Sequence, residues 1–259
     1  MKIFKVIVIC SVFFMILSVS AFSELLKESP LSDFISAGLD YKNGKCKEAV
    51  EQYEGLLGRG IESGALYYNL ANSYFKLGEK GKAILNYERA KLIIPRDSDL
   101  AFNYKFAASG LSDYPGNVKN NSLFGFLLSY LEKYTFEELY LVLNVFVLLA
   151  VIGHLFFIFF KGLPRKYNNL ILAIFLSVIL IFSILLYFKV NEQKNLAVTI
   201  KNTEAHFEPK DDSTKHFDIP EGIRVRILNL SSDWCKIKRL DGKYGWVRAD
   251  SIELIRIKE

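Results

Sequence analysis

Few side chains in this chain are spaced for bond-making chemistry. It holds three histidines, His154, His206 and His216. The last two flank Asp211 and Asp212, and imidazoles with carboxylates are common metal ligands. Their spacing matches no metal motif, however, and the segment reads as a mobile loop, so no metal is expected. Cys10, Cys46 and Cys235 lack a CxxC or Cys/His partner. Cys46 and Cys235 are read as two small buried apolar side chains rather than as a bridge. There is no nucleophile elbow, phosphate loop, zinc helix or paired carboxylate. A non-enzyme without cofactor is expected.

Side chains suited to recognition are better supplied. Lys42 and Lys76 are 34 residues apart, as are Asn69 and Asn103. With Tyr41, Tyr68, Asn72, Phe75 and Phe106 they form one candidate partner groove. Lysines and asparagines on one wall could hold a peptide carboxylate or an acidic segment; the alternative is an ordinary solvated face. Trp234, Tyr244 and Trp246 form a second set, readable as a contact surface or as partial core.

The elements that would position these residues follow from the same 34-residue offset. It superposes Ala37 on Ala71, Gly44 on Gly78, Ala49 on Ala83, Tyr53 on Tyr87 and Glu54 on Glu88. A period of 34 is that of the tetratricopeptide helical hairpin. Gly64 to Pro95 fits a full unit: Tyr67, Leu70, Ala71 and Tyr74 line its first helix, Gly78 ends that helix, and Ala83, Tyr87 and Ala90 line the second. Pro30 to Ser63 is a looser unit. Asp97 to Ser109 reads as a covering helix with a Leu100, Ala101, Tyr104, Ala107, Ala108 stripe. The helical domain is set at 30–111. A linker occupies 112–136, in which Ser122 to Tyr134 reads as an interfacial helix or as a third-repeat helix.

Residues 195–257 change to β character. Ala197 to Lys201, Gly222 to Leu228, Trp234 to Arg239 and Tyr244 to Arg248 read as short strands. Asp241-Gly242 is a two-residue hairpin signal. Five strands in this space suggest a small barrel, with Cys235 facing its core.

The excess behind the 51% hydrophobic content is concentrated in three apolar blocks. Residues 1–21 read as a signal peptide, with Lys2 and Lys5 before an apolar run and cleavage after Ala21; an uncleaved anchor is the alternative. Spans at 137–160 and 170–188 are each long enough for a hydrocarbon core of about 30 Å. The 161–169 loop carries Lys161, Arg165 and Lys166 and no acid, which places it in the cytoplasm and both flanking domains outside, in the periplasm of a diderm. Inside the first span, Asn144 and His154 read as packing or interhelical hydrogen-bond groups rather than proton carriers. The net charge of +5 is spread out, with no basic stripe for nucleic acid. The fold class is thus a multidomain membrane protein: all-α hairpins, a two-helix transmembrane hairpin and a small all-β barrel.

The motifs quoted carry three resemblances. Residues 30–95 are similar to tetratricopeptide repeats. Residues 195–257 resemble bacterial SH3-like domains, through Pro220-Glu221-Gly222, Asp233-Trp234, Asp241-Gly242, Gly245-Trp246-Val247 and Ile252. Such domains bind peptides or cell-wall glycopeptides; Ser251 and Arg248 replace the aromatic and proline of polyproline binders, so polyproline binding is not expected. The order of parts resembles the BatE-type proteins of bacterial Bat aerotolerance operons. That resemblance implies von Willebrand A-type membrane proteins and a MoxR-type ATPase as partners, and a role in envelope assembly or stress tolerance. A scaffold is expected first. The alternative is a cell-wall sensor whose barrel binds peptidoglycan. A channel is disfavoured because no charge lies within Leu139 to Phe160 or Leu170 to Phe188.

Overall fold

The computed structural model describes residues 29–111, 123–159, 165–231 and 233–256. The expected signal peptide, residues 112–122 of the linker and residues 161–164 of the expected loop lie outside the described residues.

Five helices build the first region: α1 (Pro30–Lys42), α2 (Cys46–Gly58), α3 (Gly64–Leu77), α4 (Lys80–Ile93) and α5 (Ser98–Ser109). Their starts are written locally. Ser29, Ser63 and Asp97 each accept a hydrogen bond from a first-turn amide, and Pro30 takes the first helical position, where no amide is needed. Gly44 and Gly78, one register apart, both have φ near 81°, a left-handed value that glycine adopts without Cβ strain.

The helices pack as α1 on α2 and α3 on α4, with α5 over α4. Ala37, Ala49, Ala71, Ala83 and Ala90 are wholly buried, so backbones approach closely there, while Tyr53, Tyr67 and Tyr87 fill the space between. Two glutamate acceptors, though not their tyrosine donors, keep the register. Glu54 accepts the phenol of Tyr74, and Glu88, one register on, accepts that of Tyr104.

Three apolar helices follow: α6 (Leu123–Leu131), α7 (Phe136–Phe159) and α8 (Arg165–Lys194). Segments Phe136–Phe156 and Asn169–Asn191 are long and apolar enough to cross a membrane. Helix α8 begins at Arg165, so the loop expected over 161–169 is partly helical. Helix α6 packs on α8, and Leu131 clusters with Leu139 and Leu186. The buried ammonium of Lys189 donates to the carbonyls of Leu131 and Tyr134 and fastens the α6 end to α8. Thr135 and Glu138 form a reciprocal cap at the start of α7. Arg96, after α4, grips Glu138 with two guanidinium nitrogens.

Seven strands complete the chain: β1 (Leu196–Thr199), β2 (Thr203–His206), β3 (Lys215–Ile219), β4 (Arg224–Ser231), β5 (Trp234–Arg239), β6 (Tyr244–Arg248) and β7 (Ile252–Leu254). The sheet is antiparallel, in the order β3-β2-β6-β5-β4-β1-β7. Val225, Cys235, Ile237 and Val247 form its core, so Cys235 does face inward. Two strands exceed the expected number. The segment expected to be a mobile loop around His206 and His216 contains the β2–β3 pair, because Ala205 and Ile219 are buried in the sheet core.

The β domain and the helical domain share an interface. Val198 and Ile255 belong to the helical core, and β1 lies along α4. A Cβ on Gly81 would sit 2.7 Å from the Thr199 carbonyl, so only glycine allows this approach. Glu88 and Arg224 pair at 3.2 Å with little exposure, and Arg89 bonds Glu253 at 2.7 Å and the Leu254 carbonyl at 3.2 Å. Helix α4 has no side-chain cap of its own. The Glu221 carboxylate accepts the Gly81 amide at 3.0 Å, and its charge meets the positive end of the helix.

Candidate interaction surfaces

The predicted groove residues fall into two groups. Asn72 accepts hydrogen bonds from Tyr87 at 2.6 Å and from Asn103 at 3.1 Å, and Asn103 also donates to Tyr68 at 2.7 Å. These amides and phenols tie α3, α4 and α5 together. Much of their hydrogen-bonding capacity therefore serves the fold, because half-buried amides need partners. Asn69 and Tyr41 are half-buried, whereas Lys42 and Lys76 are exposed.

The open part of this face is apolar. Phe75 meets the edge of Phe106 at 5.7 Å, and Phe102 and Phe106 are 71% and 61% exposed. With Lys76 they form an aromatic patch rimmed by positive charge. Phe102 was missed by the repeat reading, although it stands 34 residues after Tyr68. Its spacing of four from Phe106 was a further signal.

The second surface is the outer face of β5 and β6. Alternation puts Trp234, Lys236 and Lys238 on one side of β5 and Tyr244, Trp246 and Arg248 on the same side of β6. The register sets Trp234 opposite Arg248, Lys236 opposite Trp246 and Lys238 opposite Tyr244. Each pair is a cation near an aromatic ring, at 4.8, 5.9 and 5.1 Å from the ring centre. The three predicted aromatics therefore share a face but differ in access. Trp234 is buried between Arg248 and His206, Trp246 is half-buried, and Tyr244 is exposed.

The histidines have other partners. His206 faces the Ser213 carbonyl at 2.9 Å. His216 faces the Tyr244 carbonyl at 3.0 Å and stacks on Phe207 at 4.2 Å. Asp211 binds Arg248. Among the described residues no His, Cys, Asp or Glu cluster is arranged for a metal. Cys46 and Cys235 are unbridged, Cys46 being half-buried, and burial raises the Cys235 thiol pKa. In α7, Asn144 donates to the Tyr140 carbonyl of its own helix. His154 lines an apolar recess of about 230 Å³ between α7 and α8 with Ala150, Leu172 and Leu176.

Residues 205–253 match a family model described as a bacterial SH3 domain. The match begins within β2 and ends within β7, whereas the sheet also includes β1, which pairs with β4 and β7. No curated protein matches the chain.

Proposed function

We propose that this chain is a membrane-anchored protein-interaction scaffold, with tetratricopeptide-type hairpins and an SH3-like domain held together on the outer side of the membrane. One observation carries the reading. The two domains meet through α4, and this contact leaves the Phe75–Phe102–Phe106 patch and the β5–β6 face both uncovered. A shared core built on buried charge and a glycine contact suits one rigid platform with two docking faces. The BatE-type resemblance names von Willebrand A-type membrane proteins as partners for it, with a MoxR-type ATPase across the bilayer. A role in envelope stress or oxygen tolerance is part of the same proposal, and binding rather than catalysis is the activity inferred.

The test is crosslinking of the full chain in its native membrane, with partner identification, for the parent and for Phe106→Ala with Lys76→Glu. The scaffold reading expects named envelope proteins to be lost from the variant. An unchanged set would remove the helical face from the function.

The cation–aromatic ladder favours a second reading, peptidoglycan sensing. Aromatic faces stack on sugars, and cations meet the carboxylates of wall peptides. Because Val198 and Ile255 of the β domain are buried in the helical core, the detergent-solubilised full chain is the proper reagent for pelleting with purified peptidoglycan. Retention that falls on Trp246→Ala with Lys236→Ala would favour the sensor.

A further inference from the structure

The β domain has an end that points back towards the apolar helices, and three contacts define that direction. Along α4, Gly81 lies against Thr199 and Ile200, Arg89 against Glu253 and Leu254, and Arg96 against Glu138 at the start of α7. Helix α4 therefore descends towards the apolar helices while β1, emerging from α8, climbs away from them. Strand β4 is antiparallel to β1. Arg224 is opposite Val198, Arg226 is opposite Leu196, and the Ile227 amide donates to the Asn195 carbonyl at 2.8 Å. Residues beyond Ile227 thus run past the start of β1, back alongside the exit of α8.

Those residues are apolar and uncovered. Leu228 and Leu230 are 46% and 66% exposed. At roughly 3.3 Å per residue, Leu230 lies about 13 Å below the level of Leu196. The α-helical rise puts Asn191, the last residue of the apolar segment, about 8 Å below that level. The end of β4 therefore reaches the depth at which α8 leaves its apolar stretch. Lys194, exposed in the last turn of α8, gives this end a positive charge suited to lipid phosphate. Tyr187, on the preceding turns, is exposed as well, as an interfacial aromatic would be.

We propose that the end of β4 is seated in the lipid surface, with Leu228 and Leu230 inserted at the headgroup–acyl boundary beside α8. The occupant of this apolar patch is lipid, and the β domain rests on the bilayer as a third point of attachment after α7 and α8. This rests on the reading of α7 and α8 as membrane spans. A platform fixed at three points has little freedom to tilt, so its two docking faces keep a constant height above the lipid.

The experiment uses the full chain in vesicles of phosphatidylethanolamine and phosphatidylglycerol, with Cys10 and Cys46 replaced by serine. An environment-sensitive fluorophore is attached in turn to Leu230→Cys, to Asp241→Cys at the β5–β6 turn, and to Phe159→Cys near the end of α7. Nitroxide-labelled lipids are the quencher. The expected result is blue-shifted emission and about twofold quenching at 230, as for a group sunk ~5–10 Å into the interface, with none at 241. Quenching at 159 without quenching at 230 would overturn this proposal and leave the spans standing. No quenching at 159 would overturn the span reading itself. A blue shift at 230 without quenching would mean that protein, not lipid, covers the leucines, and would also overturn it.

Discussion

The two sides of the helical domain are sealed in opposite ways. On the α4 side, a second domain supplies the seal: Arg224 reaches Glu88, Glu221 reaches the Gly81 amide, and Val198 enters the core. On the other side, Asn72, Asn103, Tyr68 and Tyr87 satisfy one another, and the phenylalanines remain in solvent. The first arrangement leaves buried charge behind if the partner departs, which is costly. The second leaves those four side chains bonded to one another. A permanent contact and a reversible one are distinguished by what separation would expose.

The sharpest way to break this contrast is to remove half of the buried ion pair. Arg224→Ala should destabilise the joined domains by about 3 kcal/mol, because Glu88, which accepts the Tyr104 phenol, stays buried without its cationic partner. Urea denaturation of the detergent-solubilised chain, followed by tryptophan fluorescence, measures this; a loss below about 1 kcal/mol would mean the pair is solvated. Gly81→Val is expected to come next, at about 2 kcal/mol, from overpacking against Thr199 and Ile200. Its signature is proteolytic cleavage between the domains while helix content is retained.

On the opposite side, Asn72→Ala should cost about 1 kcal/mol by orphaning the buried Tyr87 hydroxyl, without altering partner capture at saturating protein. Phe106→Ala should reverse that pattern, with stability changed by less than about 0.5 kcal/mol and capture weakened. Equal effects of the two variants on both readouts would erase the distinction between the faces.

The smallest effect at neutral pH concerns the buried phenols. Burial raises the pKa values of Tyr67, Tyr74 and Tyr87 above their ordinary value near 10, with carboxylates adding to the rise at Tyr67 and Tyr74. A raised folded pKa means a contribution fully present below pH of about 10 and lost as pH climbs through the folded values. Helical circular dichroism should therefore be flat from neutrality to about pH 10 and then fall. Tyr87→Phe should lessen that alkaline loss.

Much of the fold was legible because helices announce themselves through nearby residues. The match of Ala37 to Ala71 and of Gly44 to Gly78 encodes packing and capping within a few turns, and both copies behave alike in the structure. The Asp241-Gly242 turn was legible for the same reason, with Gly242 at φ 91°. The β2–β3 pair was not. Its polar and charged residues, such as Glu204 and Lys215, face outward, and only Ala205, Phe217 and Ile219 carry the inward pattern. At the sites, Lys76 and Phe75 were chosen from the register alone. The saturation of Asn72 by Tyr87 and Asn103 was hidden, since hydrogen bonding between helices leaves no periodicity. Gly81 was the overlooked clue to the interface, because glycine near the start of a helix costs about 1 kcal/mol relative to alanine unless something needs the space.

The carboxylate on the Gly81 amide also bears on synthesis. Helix α4 leaves the ribosome without a side-chain cap, and the residue that supplies one, Glu221, follows 140 positions later. Between them lie both apolar helices, which must be made before α4 can be completed. Completion of α4 is therefore a late event that waits on everything made in between. A chain whose β domain failed to dock would keep an unfinished helix with Val198 and Ile255 missing from its core, a ready mark for proteolysis.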